Sequence, residues 1–384
     1  MLFEFGQTNK SVLYLILFTY SLFVEGSAIG DIRSNNYVFV FVIIEFGNIT
    51  KLGAGLIELL IIKKYIPQKR RSILDNTPIV PIKLVILYLF MCLLEYSTQI
   101  AFVSQKQLMQ TMSTPLYLDV MFKGLQIFFA FSLASHYLKY KFERYKKFGL
   151  AIMGIGLTIC CVASLTKIDS SLFTQQTFWV TIGLHIWMNF GAAVHEVIEK
   201  YLLHFRFQSV YRVLFFQGIC HFVINITSIV IMQTTVNRNE DINFWGWISS
   251  NIKILMAYLV TCSAYNFFRI LINNTLTPTH RIVADSFSAL AFFLLYLYYD
   301  FSFANIIICC GYLISSFGSI IYNEMIIIKV WELNKDTVSE IDKRGEKELK
   351  ESEAFLSTYK KQELAEEKLN TNSSYNSYKS KLIS

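Results

Sequence analysis

Apolar segments of about twenty residues or more recur along almost the whole of this 384-residue chain, with only short polar breaks between them. A helix rises about 1.5 Å per residue, so roughly twenty residues cover the ~30 Å of hydrocarbon in a bilayer. With 54% hydrophobic and only 16% charged residues, the chain is too apolar for a soluble domain of this length. Because the runs continue far beyond the N-terminus, a cleaved signal peptide does not account for them. The pattern predicts an all-α integral membrane protein.

Reading the runs between their polar breaks gives ten helices, near 11–29, 37–65, 79–105, 108–136, 144–166, 176–200, 207–235, 249–274, 277–300 and 303–330. Basic clusters test that count. "KKYIPQKRR" at 63–71, "KYKFERYKK" at 139–147 and the region of Lys200, Arg206 and Arg212 follow helices two, four and six, which places those loops in the cytosol. Residues 1–10 are then a short cytosolic N-terminus, and an even number of helices returns 331–384 to the same side. That tail holds ten Lys/Arg and eleven Asp/Glu, so it reads as a solvated helix with i,i+4 pairs followed by a disordered Ser/Asn-rich end. Outside it, 25 basic residues (35 − 10) face 17 acidic ones (28 − 11), and the excess lies in the cytosolic loops. Such an excess reports topology and gives no reason to expect nucleic acid as a partner. Membrane lipid is the expected surroundings.

An internal repeat divides the span region into 11–166 and 167–330. Gly149 and Gly156 in "GLAIMGIG" are seven residues apart, as are Gly311 and Gly318 in "GYLISSFG", and each glycine of the second pair lies 162 positions beyond its counterpart. The same offset carries Asp119 onto Arg281 and Lys123 onto Asp285, so predicted helices four and nine hold charge-swapped pairs at matching positions. Thr-Pro at 114–115 and at 277–278 opens these two helices, with an offset one residue different, and proline suits a first helical turn. Five helices per repeat is an odd number of crossings, which inverts the second copy. Inverted repeats are a recurring transporter architecture, with the substrate site near the midplane at the repeat interface.

The charged pairs have two readings. Asp119 with Lys123, and Arg281 with Asp285, can neutralise each other as i,i+4 pairs within single helices. Alternatively they line a water-accessible path, as charges within membrane helices often do. Glu45 in predicted helix two, Glu95 in three, and Asn266 with Arg269 in eight extend the candidate cavity, each with an interhelical hydrogen bond as its plainer role. A buried glutamate among them is a candidate carrier of a coupling proton. Tyr322 and Asn323, near the end of helix ten, read as interfacial anchors. The glycines of helices five and ten leave room for close approach, either between the subunits of a homodimer or between helices of one subunit.

Rival functions leave fewer marks. "HEVIE" at His195–Glu199 has glutamate where a zincin needs its second histidine, so it reads as a polar cluster beside a cytosolic loop. All seven cysteines lie within apolar runs without CxxC spacing, and no Ser-His-Asp constellation or P-loop is legible. No enzyme activity, metal or cofactor is expected. The sequons at Asn48 and Asn225 fall inside predicted spans. A channel, receptor or scaffold remains the alternative to a carrier.

Around "TPTHRIVADS" at 277–286 the chain resembles the drug/metabolite transporter superfamily, its EamA-type members and the F subgroup of solute carrier family 35. Thr277, Thr279, Arg281, Asp285 and Ser286 fit a motif of that group's ninth helix. Asn266 and Phe267 fit the eighth, Glu45 and Phe46 the second, Glu199 and Lys200 the end of the sixth, and Lys123 and Gly124 an Arg-Gly of the fourth. The resemblance implies a ten-helix carrier of inverted five-helix halves in an endomembrane such as Golgi, lysosome or vacuole. Nucleotide-sugar carriers of the wider family typically place a lysine on the ninth helix, where this chain has Arg281 and Asp285. The expected partner is a small polar or anionic solute, met or gated by Lys123, Arg281 and Asp285, with Asp119, Asn266, Glu45 and Glu95 around them.

Overall fold

Apolar segments without interior proline satisfy their own backbone groups as helices, and a computed structural model of the chain shows such helices through most of its described length. It describes residues 3–5, 47–53, 82–110, 115–122, 124–206, 208–235, 252–275 and 300–328, with positions 290, 293, 294, 297, 298, 333, 335, 337, 340, 341, 343 and 344. After a short helical stretch at 47–53 come α1 (Ile82–Gln110), α2 (Pro115–Phe122), α3 (Leu125–Tyr137), α4 (Arg144–Leu165) and α5 (Gln176–Lys200). One π-helical turn, Tyr201–Phe205, extends α5, and α6 (Val210–Thr235), α7 (Ile252–Thr275) and α8 (Phe303–Tyr322) follow. Among the described residues, six helical spans are long and apolar enough to cross a membrane. A two-stranded antiparallel ladder pairs β1 (Phe3–Phe5) with β2 (Ile326–Ile328), so the N-terminal end meets the segment after α8.

Polarity is distributed inside out. On α1, Ile82, Ile86, Leu89, Phe90 and Leu93 are exposed while Tyr88, Met91 and Cys92 are buried. Elsewhere Lys51, Gln105, His185, His195, Glu196, Glu199, His221 and Arg269 are buried. Water would not reward that arrangement, since it leaves large apolar side chains outside and charges within. Lipid does, because its tails solvate the outer face and drive every polar group toward a partner inside.

Several boundaries differ from the sequence reading: the predicted tenth helix, 303–330, ends at Tyr322 and is followed by β2. The predicted fourth helix, 108–136, is instead the end of α1 followed by α2 and α3, because Pro115 begins a new helix where its missing N–H costs nothing. Gly124, between α2 and α3, keeps right-handed helical angles and accepts from the Phe128 amide, and Tyr117–Tyr137 counts as one membrane-length span with Asp119 near its start. Tyr322 and Asn323 are not interfacial anchors; both are buried, and the backbone of Tyr322 lies against Gly149.

Among the described helices, α4 and α8 pack most closely. They run antiparallel, with Gly149 facing Gly318 and Gly156 facing Gly311. A methyl group on Gly156 would come within 2.5 Å of the Gly311 carbonyl oxygen and of the Ser315 amide, and one on Gly318 within 2.6 Å of the Met153 amide. Only glycine permits backbones this close, and the Cys160 thiol donates across the seam to the Ile308 carbonyl at 3.3 Å. Of the two roles open to these glycines, the structure uses the one within a single subunit.

Candidate functional site

Glu95 sits near the middle of α1, where it is the meeting point of four other segments. Lys51, from the stretch at 47–53, places its Nζ 2.9 Å and 3.0 Å from the two carboxylate oxygens. His221 of α6 brings Nε2 to 3.0 Å from Oε2, and His195 of α5 brings its own Nε2 to 3.2 Å from the same oxygen. Arg269 of α7 approaches Oε1 at 3.8 Å. Two glycines permit this convergence. A methyl on Gly191 of α5 would collide with Thr98 of α1, and one on Gly218 of α6 would lie 2.6 Å from the Leu52 amide.

A second half of the cluster continues toward the C-terminal ends of α5 and α7. Glu199 accepts from Arg269 Nη2 at 2.9 Å, from Gln217 Nε2 at 3.0 Å and from Asn273 Nδ2 at 2.9 Å. Glu196 lies 3.8 Å from Arg269 Nη1 and 3.8 Å from His195 Nδ1. Lys200 donates to the Asn273 and Asn274 carbonyls at 2.7 Å and 3.0 Å, which caps the end of α7 with a cation. Three carboxylates, Glu95, Glu196 and Glu199, thus stand among two cations, Lys51 and Arg269, with all five side chains no more than 13% exposed. Desolvating so many charges is costly, and it persists only where the geometry pairs them closely.

The sequence reading finds this site only in part. Glu95 is at its centre, and Arg269, also read from the sequence as a cavity residue, reaches Glu95, Glu196 and Glu199. Asn266, one turn before Arg269, is buried but bonds back to Cys262 Sγ of its own helix at 3.4 Å. Asp119 belongs to a separate polar group: Gln105 Nε2 donates to its Oδ1 at 2.9 Å and lies 3.0 Å from His185 Nε2. Gln105 is ten residues along α1 from Glu95, or about 15 Å of helix. Lys123, Arg281, Asp285 and Glu45 lie outside the described residues. "HEVIE" is no cluster at a loop, since His195, Glu196 and Glu199 all point into the buried network. Its signal was available in the spacing: Gln217, His221 and Asn225 recur every four residues, and Asn266, Arg269 and Asn273 follow at three and four, so each set forms a polar stripe on one helical face.

No family model matches the chain, and no curated protein matches it. A solved structure described only as "Crystal structure of protein" superimposes with a TM-score of 0.47 and 11% identity, covering 81% of this chain and 94% of that one. A likeness at that level carries no argument about fold or function.

Proposed function

We propose that this protein is a membrane carrier that moves a small polar or anionic solute by alternating access, built from two inverted five-helix halves with both termini in the cytosol. The observation that carries the reading is the reciprocal glycine seam. Gly149 and Gly311 are counterparts under the 162-residue offset, as are Gly156 and Gly318; across the seam Gly149 meets Gly318 and Gly156 meets Gly311. Each residue therefore meets the counterpart of the other, in antiparallel helices, as a two-fold axis in the membrane plane requires. Three buried carboxylates within membrane-length helices, Glu95, Glu196 and Glu199, paired with Lys51 and Arg269 from other segments, add support, because such groups commonly mark a solute or ion path. Lys123, Arg281 and Asp285 are assigned to solute contact or gating from the sequence. An endomembrane location comes from the resemblance alone.

The internal pairing of the charged cluster favours a second reading, a scaffold or receptor whose charges only hold helices together. Uptake and counterflow in proteoliposomes separate the two. Labelled nucleotide sugars, nucleotides, amino acids and small organic anions are screened against the purified protein and against Lys123→Ala and Asp285→Asn. Saturable uptake with counterflow, lost in both variants while they remain folded, is the expected result. Conduction without saturation indicates a channel, and an inert protein across the whole panel favours the scaffold.

A further inference from the structure

His195 is placed between two carboxylates. Its Nε2 lies 3.2 Å from Glu95 Oε2 and its Nδ1 lies 3.8 Å from Glu196 Oε1, with the ring 3% exposed. A neutral imidazole carries one N–H and therefore turns a lone pair toward one of these acceptors. Nε2 makes no hydrogen bond in this arrangement, although it lies within ion-pair distance of Glu95. Only the doubly protonated ring can donate on both sides.

Arg269 competes for the same two groups. Its Nη1 is 3.8 Å from Glu95 Oε1 and 3.8 Å from Glu196 Oε1, long contacts beside the 2.9 Å bond that Nη2 makes to Glu199. Among the described residues, the charged and titratable groups around His195 are Glu95 on α1, Glu196 and Glu199 on its own helix, His221 on α6, Arg269 on α7, and Lys51 beyond Glu95. With both histidines neutral, three carboxylates face two cations, which leaves the group one positive charge short of balance.

We propose that His195 is a proton-binding site within the bundle, where the imidazolium bridges Glu95 and Glu196 and relieves Arg269 of its long contacts to both. The proton comes from water and returns to it, so no other reactant is needed. The added proton supplies the missing positive charge and brings the buried group to neutrality. On the carrier reading, from which this consequence follows, the proton is therefore the coupling ion.

Infrared difference spectra between about pH 5 and pH 8, the range in which histidine commonly titrates, test the site without any solute. The full chain, labelled with ring-¹⁵N histidine, is reconstituted in phosphatidylcholine vesicles and compared with His195→Gln and Glu196→Gln, each shown by gel filtration to be folded. His195→Gln is expected to remove one histidine's share of the imidazolium signal. In Glu196→Gln the same signal persists with proton affinity lowered about tenfold or more, because one of two opposing charges has gone. An unchanged spectrum in His195→Gln, or an unchanged titration in Glu196→Gln, overturns the proposal. Counterflow of the labelled panel is measured on the same vesicles. If no solute exchanges while the His195 signal behaves as stated, the carrier reading fails and the proton site stands.

Discussion

The α4–α8 seam and the cluster around Glu95 solve one problem in opposite ways. Lipid tails are as apolar as leucine, so the hydrophobic effect gives two membrane helices little reason to associate. Along the seam, glycines remove side chains until backbone meets backbone, and close packing supplies the adhesion. In the cluster, five segments bring charges that no lipid will accept and that only one another can satisfy. The seam tolerates no added atom, and the cluster tolerates no lost partner.

Removal of one cluster partner is the severest test of this difference. Arg269→Met leaves Glu199, Glu196 and Glu95 without the guanidinium they share, and is expected to cost about 3–5 kcal/mol, read by chemical denaturation in mixed micelles. Loss of less than about 1 kcal/mol would show that the charges are solvated. Overpacking of the seam comes next. Gly156→Leu or Gly311→Leu is expected to cost about 1–3 kcal/mol, since each meets backbone that cannot rotate away, and at Gly311 the Cys160 sulfur as well.

A paired deletion distinguishes the regions further. Lys51→Met strands a buried carboxylate, whereas Lys51→Met combined with Glu95→Gln removes both formal charges. The double variant should recover at least about 1 kcal/mol of the single variant's loss, measured as the coupling energy of a double-mutant cycle. Smallest of all is Gly154→Ala, two residues from Gly156 yet with nothing within 4 Å of the added methyl. It should be neutral or stabilising by up to about 1 kcal/mol, through helix propensity.

Much of the fold was legible along the chain. Among the described residues, helix positions largely followed from segment length, and the glycine spacing marked two helices for close approach without saying whether to each other or to a second subunit. The apolar run put the fourth helix at 108 because it continues that of α1, whereas the Thr-Pro at 114–115 marked the true start of α2. Of the site, Glu95 could be singled out as an isolated acid in an apolar run. His195, Glu196 and Glu199 resembled a loop-side group because they sit close to the basic segment after α5. Their burial depends on Arg269 and Gln217, which come from other helices.

Sequence alone therefore determined that this is a helical chain fit for lipid, with matched glycines in its fifth and tenth predicted helices. Both are properties of one segment at a time: hydrophobic length and residue size. Which charges meet was decided by tertiary structure, because Lys51, Glu95, His195, His221 and Arg269 lie on five separate segments whose approach depends on the gaps at Gly191 and Gly218. Pairing across helices has no period along the chain, and a buried charge acquires its meaning only from the partner the fold brings to it.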